Sequence, residues 1–221
     1  MTGLVAFDLD GTLVDSAGDL AAAASALTVE LGGRALSQPE VVAMVGEGVG
    51  VLVGRALTAA GLDPQTPDAV ARFLTLYDAR MFDTTALYPG IVAVLDALDP
   101  LLPLALVTNK PEAPTARMLE VLGVRRYFLE VIGGDGAWPR KPDPAGLRSL
   151  AVHARGGPLV LVGDSDVDGE TAGRASAAFV LAAYGFGAAK VPPGTTPYVA
   201  ATPADLPRVI GDALRVGRQT S

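Results

Sequence analysis

The sequence has no cysteine among its 221 residues, which excludes disulfides, thiolate zinc sites and cysteine nucleophiles. Histidine is nearly absent too. The single His153 cannot build a multi-histidine metal centre and leaves one candidate for any triad. Lysine is scarce, with three (Lys110, Lys141 and Lys190) against 14 arginines, whereas 17 aspartates outnumber seven glutamates. The formal net charge of −7 argues against attraction to nucleic acid or anionic lipid. No hydrophobic run is long enough for a bilayer: the stretch around residues 175–189 is broken by Ser and Gly. The start of the chain lacks a basic segment, and Asp8 and Asp10 interrupt its apolar run, so it does not read as a signal peptide. A soluble, cytoplasmic protein is expected, as a monomer or homodimer. The tail over 217–221 reads as frayed.

What is present is a chain 50% hydrophobic, enough for a sizeable core in one large domain or a core with an insertion. Short, continuously apolar runs over 4–9, 104–108, 129–133, 159–163 and 179–182 predict parallel strands buried on both faces. Helical patterns over 90–98, 111–122, 144–153, 168–175 and 204–216 alternate with them. That order predicts an α/β fold with a doubly wound parallel-sheet, Rossmann-like core. Residues 15–85 break the rhythm, with only helical patterns over 17–31, 38–46, 49–60 and 67–83. They read as a small α-helical cap domain inserted into a core made of 1–14 and 86–221, with connections at 15–16 and 84–88 able to act as a hinge.

The acids gather at predicted strand ends. The first strand runs into Asp8-Leu9-Asp10-Gly11-Thr12, and the fourth into Gly163-Asp164-Ser165-Asp166-Val167-Asp168. Open α/β sheets bind ligands beyond the carboxyl ends of their strands. An isolated D-x-D is more readily a turn or helix cap, but a second cluster at another strand end weakens that reading. Carboxylates brought together need a cation or proton to offset their repulsion, and hard oxygen ligands suit Mg²⁺. Asp168, one turn into a helix, fits either a contact to a metal-bound water or a helix N-terminal acid. Thr108-Asn109 before Pro111 make a helix start that can bind an anion or serve as an ordinary cap. Lys110 and Lys141 fall in loops on the same predicted face. In a chain that otherwise prefers arginine, this points to compact positive charges wanted there. Gly46-Glu47-Gly48-Val49-Gly50 lacks a preceding strand, and Val51 occupies the third glycine position of the motif, so a dinucleotide fingerprint is rejected. His153 reads as a surface residue at a helix end.

Four separated segments, in order, resemble the haloacid dehalogenase superfamily of phosphohydrolases: Asp8/Asp10/Gly11/Thr12, Thr108, Lys141, and Gly163/Asp164/Asp168. The resemblance covers the whole chain, cap included. Within the superfamily the chain is most similar to the bacterial phosphoglycolate phosphatases. Val45-Gly46-Glu47-Gly48-Val49, Arg55-Ala56-Leu57 and Leu87-Tyr88-Pro89-Gly90 carry that likeness, with Glu47 where relatives often have asparagine.

The resemblance implies a Mg²⁺-dependent hydrolase of a small phosphate ester, with 2-phosphoglycolate as the expected substrate. It makes Asp8 the nucleophile and Asp10 the general acid and base. It makes Asp8, the Asp10 backbone carbonyl and Asp164 metal ligands, with Asp168 behind them. Thr108 and Lys141 complete the catalytic set. Gly11, Thr12 and Asn109 are implied to bind substrate, and Lys110, Glu47 and Arg55 to meet the leaving group. A β-phosphoglucomutase-like phosphomutase would use the same four segments. Outside enzymes, a receiver-like phosphoacceptor domain also pairs strand-end acids with Thr and Lys, but the cap and the D-x-D spacing count against it.

Overall fold

The computed structural model describes residues 2–216, so the expectation for 217–221 lies outside the described residues. In chain order, β1 (Leu4–Phe7) and β2 (Val14–Asp15) lead into four helices, α1 (Ala17–Glu30), α2 (Gln38–Val42), α3 (Val49–Ala59) and α4 (Ala69–Asp78). The chain returns through β3 (Ala86–Leu87), α5 (Ile91–Leu98), β4 (Leu104–Val107), α6 (Glu112–Val121) and β5 (Phe128–Ile132). It ends with α7 (Ala145–Ser149), β6 (Leu159–Gly163), α8 (Asp166–Ala175), β7 (Ala178–Ala182), β8 (Tyr198–Ala200) and α9 (Leu206–Val216).

Strands whose residues are apolar on both sides must be covered on both faces. All four residues of β1 and of β4 are buried. Together with β6 they sort by alternation: Val5, Phe7, Leu104, Leu106, Val160 and Val162 pack on one face, and Leu4, Ala6, Ala105, Val107 and Leu161 on the other. The first face is closed by α5, α6 and α9 through Leu95, Leu119 and Ile210, and the second by α7 and α8 through Leu147 and Ala172. Each large side chain so buried contributes roughly 1.5–3 kcal/mol.

The sheet is parallel throughout, in the order β5-β4-β1-β6-β7-β8. The chain therefore builds outward on one side of β1 and then crosses to build on the other. The crevice at the carboxyl ends of β1 and its neighbours is where such a sheet binds ligands.

Helices α1–α4 lie together beyond that end. Phe73 and Tyr77, on one face of α4, are both buried, with rings stacked at 5.9 Å. Where the chain leaves and re-enters the sheet region, β2 and β3 pair antiparallel, Val14 with Leu87 and Asp15 with Ala86. The Asp19 carboxylate at the start of α1 accepts the Thr84 N–H (2.9 Å), the Thr84 hydroxyl (2.6 Å) and the Thr85 N–H (2.9 Å). Burial alone would push this carboxyl up, but the Thr84 and Thr85 donors hold it below its ordinary value.

Several boundaries differ from the sequence-based expectation. The helix expected over 144–153 is split into α7 and a 3₁₀ turn, Leu150–His153. α8 begins two residues early, because Ser165 caps it and Asp166 supplies its first turn. β8 was not expected at all: it is three residues long and half exposed at Val199, so it carries almost no apolar signature. His153 is indeed at the surface, 3.3 Å from Glu130. Among the described residues no helix is long and apolar enough to cross a membrane.

Candidate active site

The site begins with the backbone after β1. The Asp8 N–H donates to Val162 O at 2.8 Å, extending the β1–β6 ladder by one residue and setting Asp8 beside the end of β6. Leu9 O then accepts the N–H groups of Thr12, Leu13 and Val14, which folds the chain into a tight turn. Gly11 sits there at φ +84°, and a Cβ on it would lie 2.0 Å from Asp164 Oδ2. No other residue fits. At the end of β6 the constraint is space: a Cβ on Gly163 would lie 2.3 Å from Asp168 Cγ. The glycines of both segments are therefore the means by which three carboxylates approach one another.

Asp8, Asp164 and Asp168 are all buried, and one oxygen from each lies within 4.8 Å of the others. A single ammonium answers them. Lys141 Nζ is 2.8 Å from Asp8 Oδ1 and 2.6 Å from Asp168 Oδ1. Burial pushes the Asp8 carboxyl up to about 6, with Lys141 opposing and Asp168 adding to the rise. Asp164 is pushed well up by burial and then by the charges of Asp168 and Asp8, against the Gly187 N–H that donates to it at 2.7 Å. Burial would lower Lys141, but Asp168 and Asp8 together raise it, so it stays charged. Asp168 also closes a capping box with Ser165, whose N–H donates to Oδ2 at 3.1 Å. It is thus a helix cap and a partner of Lys141 at once. Among the described residues, Asp8 Oδ1 is buried with no hydrogen bond besides its ion pair, and Thr12 Oγ1 is buried with none. Three buried carboxylates against one lysine leave excess negative charge among hard oxygen donors, a set that fits a small divalent cation.

Asp10, two residues on, turns toward the helices. Ser16 Oγ donates to its Oδ1 at 2.6 Å, and Lys110 Nζ lies 3.2 Å from both its oxygens. The same ammonium donates to Tyr77 Oη at 2.8 Å. At the end of β4, the Thr108 hydroxyl accepts the Lys110 N–H (3.2 Å), and Asn109 Nδ2 donates to Gly46 O and Lys141 O, both at 2.9 Å. Asn109 thereby ties the loop over 45–48 to the sheet end. Between these groups lies a cavity of about 60 Å³, room for a handful of waters. Asp8, Asp10, Thr108, Asn109, Lys110 and Asp164 line its floor. Leu20, Val49, Leu52, Phe73 and Leu74 from the helices line its roof.

Most residues expected from the sequence converge here, with two exceptions. Glu47 and Arg55 pair with each other at 2.5 Å, nearly half exposed, and neither lines the cavity although Gly46 and Gly48 do. Sequence reasoning also missed contributors. Ser16 and Tyr77 reach the Asp10 group, and the loop over 183–191 brings Phe186 and Gly187 to the cavity and Lys190 Nζ to Val45 O at 2.8 Å. Lys190 had a signal: it is the third of three lysines and, like the others, follows a strand end. Tyr77 had none, since stacked aromatic spacing on a helix reads as core.

A doubly wound parallel sheet whose strand-end carboxylates face a small cavity is the arrangement of a ligand-binding α/β domain. The model of haloacid dehalogenase-like hydrolases matches residues 5–182, and the chain belongs to that family. It is 40% identical over 196 residues to a phosphoglycolate phosphatase of Rhodospirillum rubrum, covering 84% of this chain and 81% of the relative. It is 39% identical over 193 residues to one of Cereibacter sphaeroides, covering 84% and 87%. A crystal structure described as a predicted phosphoglycolate phosphatase, from Haemophilus somnus, superposes with a TM-score of 0.84 at 28% identity, over 95% of this chain and 98% of that one.

Proposed function

We propose that the chain hydrolyses a small phosphate monoester, 2-phosphoglycolate to glycolate and phosphate, through an aspartyl-phosphate on Asp8. The carrying observation is the placement of Asp8, buried at the end of β1 with Lys141 on one side and Asp10 on the other, at the floor of a small cavity. The names of the 40%-identical relatives support the substrate. The polar floor suits the phosphate, and the hydrocarbon roof keeps bulk water from it.

An Asp8 carboxylate oxygen attacks phosphorus as the bond to the leaving oxygen breaks. Asp10 gives its proton to that oxygen, then takes one from the water that attacks the aspartyl-phosphate, releasing phosphate and restoring Asp8. Lys141, the Thr108 hydroxyl and the Asn109 backbone hold the other phosphoryl oxygens, a preorganised set of charge and dipoles. Gly11 and Thr12 shape the turn beneath them. Asp8, Asp164 and the Asp10 carbonyl would hold Mg²⁺, with Asp168 orienting Lys141 behind them. When bound, Mg²⁺ offsets the repulsion between carboxylate and phosphate dianion. On this reading 1–14 and 86–221 form the catalytic core, and 15–85 form a cap that closes over substrate.

The test is kcat/KM across a panel of phosphate monoesters with Mg²⁺, beside Asp8→Asn. We expect 2-phosphoglycolate among the best few substrates and no turnover in the variant. A poor rank for 2-phosphoglycolate overturns the substrate, and retained Mg²⁺-dependent turnover in Asp8→Asn overturns the nucleophile.

A further inference from the structure

Lys110 lines the cavity, yet its ammonium is not free to meet substrate. It is buried, 3.2 Å from each Asp10 oxygen and 2.8 Å from Tyr77 Oη, and it sits 4.5 Å from the centre of the Tyr77 ring. Tyr77 in turn is only 2% exposed and is fixed by its stack on Phe73, a residue of the same helix. The other hold on Asp10 is the Ser16 hydroxyl, at the start of α1. Asp10 itself lies in the turn that follows β1, but both groups that pin its carboxylate depend on the helical segment. Ser16 does so directly and Lys110 through Tyr77.

We infer that Tyr77 and Lys110 are positioning residues that aim the Asp10 carboxylate at the leaving oxygen. The inference rests on the reading of Asp10 as proton donor and acceptor. A carboxylate on a short side chain can rotate away from a bound ester. One ammonium at both oxygens and one hydroxyl at Oδ1 fix the plane and direction of the group, and such positioning is one requirement of proton transfer. Because Tyr77 enters from α4, that aim is complete only while α4 is seated over the sheet end.

Leaving-group dependence tests this. In the first half-reaction the proton moves from Asp10 to the leaving oxygen as the new bond from Asp8 to phosphorus forms. An alkyl phosphate needs that proton, whereas 4-nitrophenyl phosphate releases a stable phenolate without it. kcat/KM reports this half-reaction. Tyr77→Phe keeps the stack and the ring face under Lys110 but removes the oxygen. We expect it to lower kcat/KM about 10-fold for the best alkyl ester of the panel and less than about 2-fold for 4-nitrophenyl phosphate. Lys110→Met should extend the same pattern, to about 100-fold against less than about 5-fold. In an Asp10→Asn background, Tyr77→Phe should have no further effect on the alkyl ester. Equal losses on both esters, or no loss on either, would overturn the inference. If Asp10→Asn by itself shows no leaving-group dependence, Asp10 is not the proton donor, and the inference falls together with that reading.

Discussion

Replacing Asp164 with asparagine separates what the acidic cluster costs from what it does. Asp164 is buried, accepts the Gly187 N–H at 2.7 Å, and shares a 4.8 Å cluster with Asp8 and Asp168. At that spacing and an effective dielectric of ~20, one like-charge pair costs ~3 kcal/mol. Asp164 meets two such charges and shares a single compensating ammonium, Lys141, so roughly one repulsion is left standing. Partial protonation relaxes it to about 2 kcal/mol. The amide keeps the shape and the acceptor for Gly187 but removes the charge. In metal-free protein at pH 7, Asp164→Asn should therefore raise Tm by about 4–8 °C, given ~2–4 °C per kcal/mol for a chain of this size.

Mg²⁺ should raise the Tm of the wild type and leave the variant almost unmoved, while turnover is lost in the variant. The pH dependence has a definite sign. Asp164 is raised in the native state, so its ionised form disfavours folding. The penalty is full above the raised native value and absent below the unfolded value of about 3.9. The stability gap between variant and wild type should accordingly close as pH falls from 7 toward 4. Circular dichroism melts with and without Mg²⁺ at several pH values are sufficient. A variant less stable than wild type in metal-free buffer at pH 7, or one that gains as much from Mg²⁺, would refute the argument.

Gly163→Ala puts a methyl 2.3 Å from Asp168 Cγ, so urea unfolding should show a loss of about 1–3 kcal/mol and assays a large fall in kcat. Asp19→Ala frees the Thr84 and Thr85 donors and should cost about 1.5–3 kcal/mol at pH 7. Because the Asp19 carboxyl is held below its ordinary value, that contribution is present above about pH 4 and lost as pH falls through the native value, so wild type and variant should converge in acid. Lys190→Met removes the donor to Val45 O, and amide exchange over residues 45–48 should accelerate several-fold relative to wild type.

Much of this was legible along the chain because it is local. Continuous apolar runs such as Leu104–Val107 predict strands covered on both faces, and five of the six sheet strands fall on runs so read, although the edge strand β5 carries Glu130 and an exposed Leu129. Asp8, Asp10 and Asp164 stand at strand ends in the sequence and at strand ends in space. The helical interruption after β1 was visible as an absence of strand patterns. Where length or burial gave no signal, the reading failed. Three-residue β8 lacks an apolar run, and the split of the helix over 144–153 reflects packing that periodicity does not report. Glu47 and Arg55 carry opposite charges eight residues apart, and only the fold shows that they satisfy each other rather than line the cavity.

The opening scarcities sharpen the same point. The sequence alone excluded cysteine and a histidine cluster from any chemistry of these residues, and it gathered carboxylates and lysines at predicted strand ends. It placed two of those lysines near the acids. Only the tertiary structure decided their partners: Lys141 between Asp8 and Asp168, Lys110 between Asp10 and Tyr77, and Lys190 on the loop at Val45. The physical reason is that a strand end is set by backbone geometry over a few residues. Which buried charge an ammonium answers is set instead by desolvation and distance between segments as far apart as 27 and 100 residues.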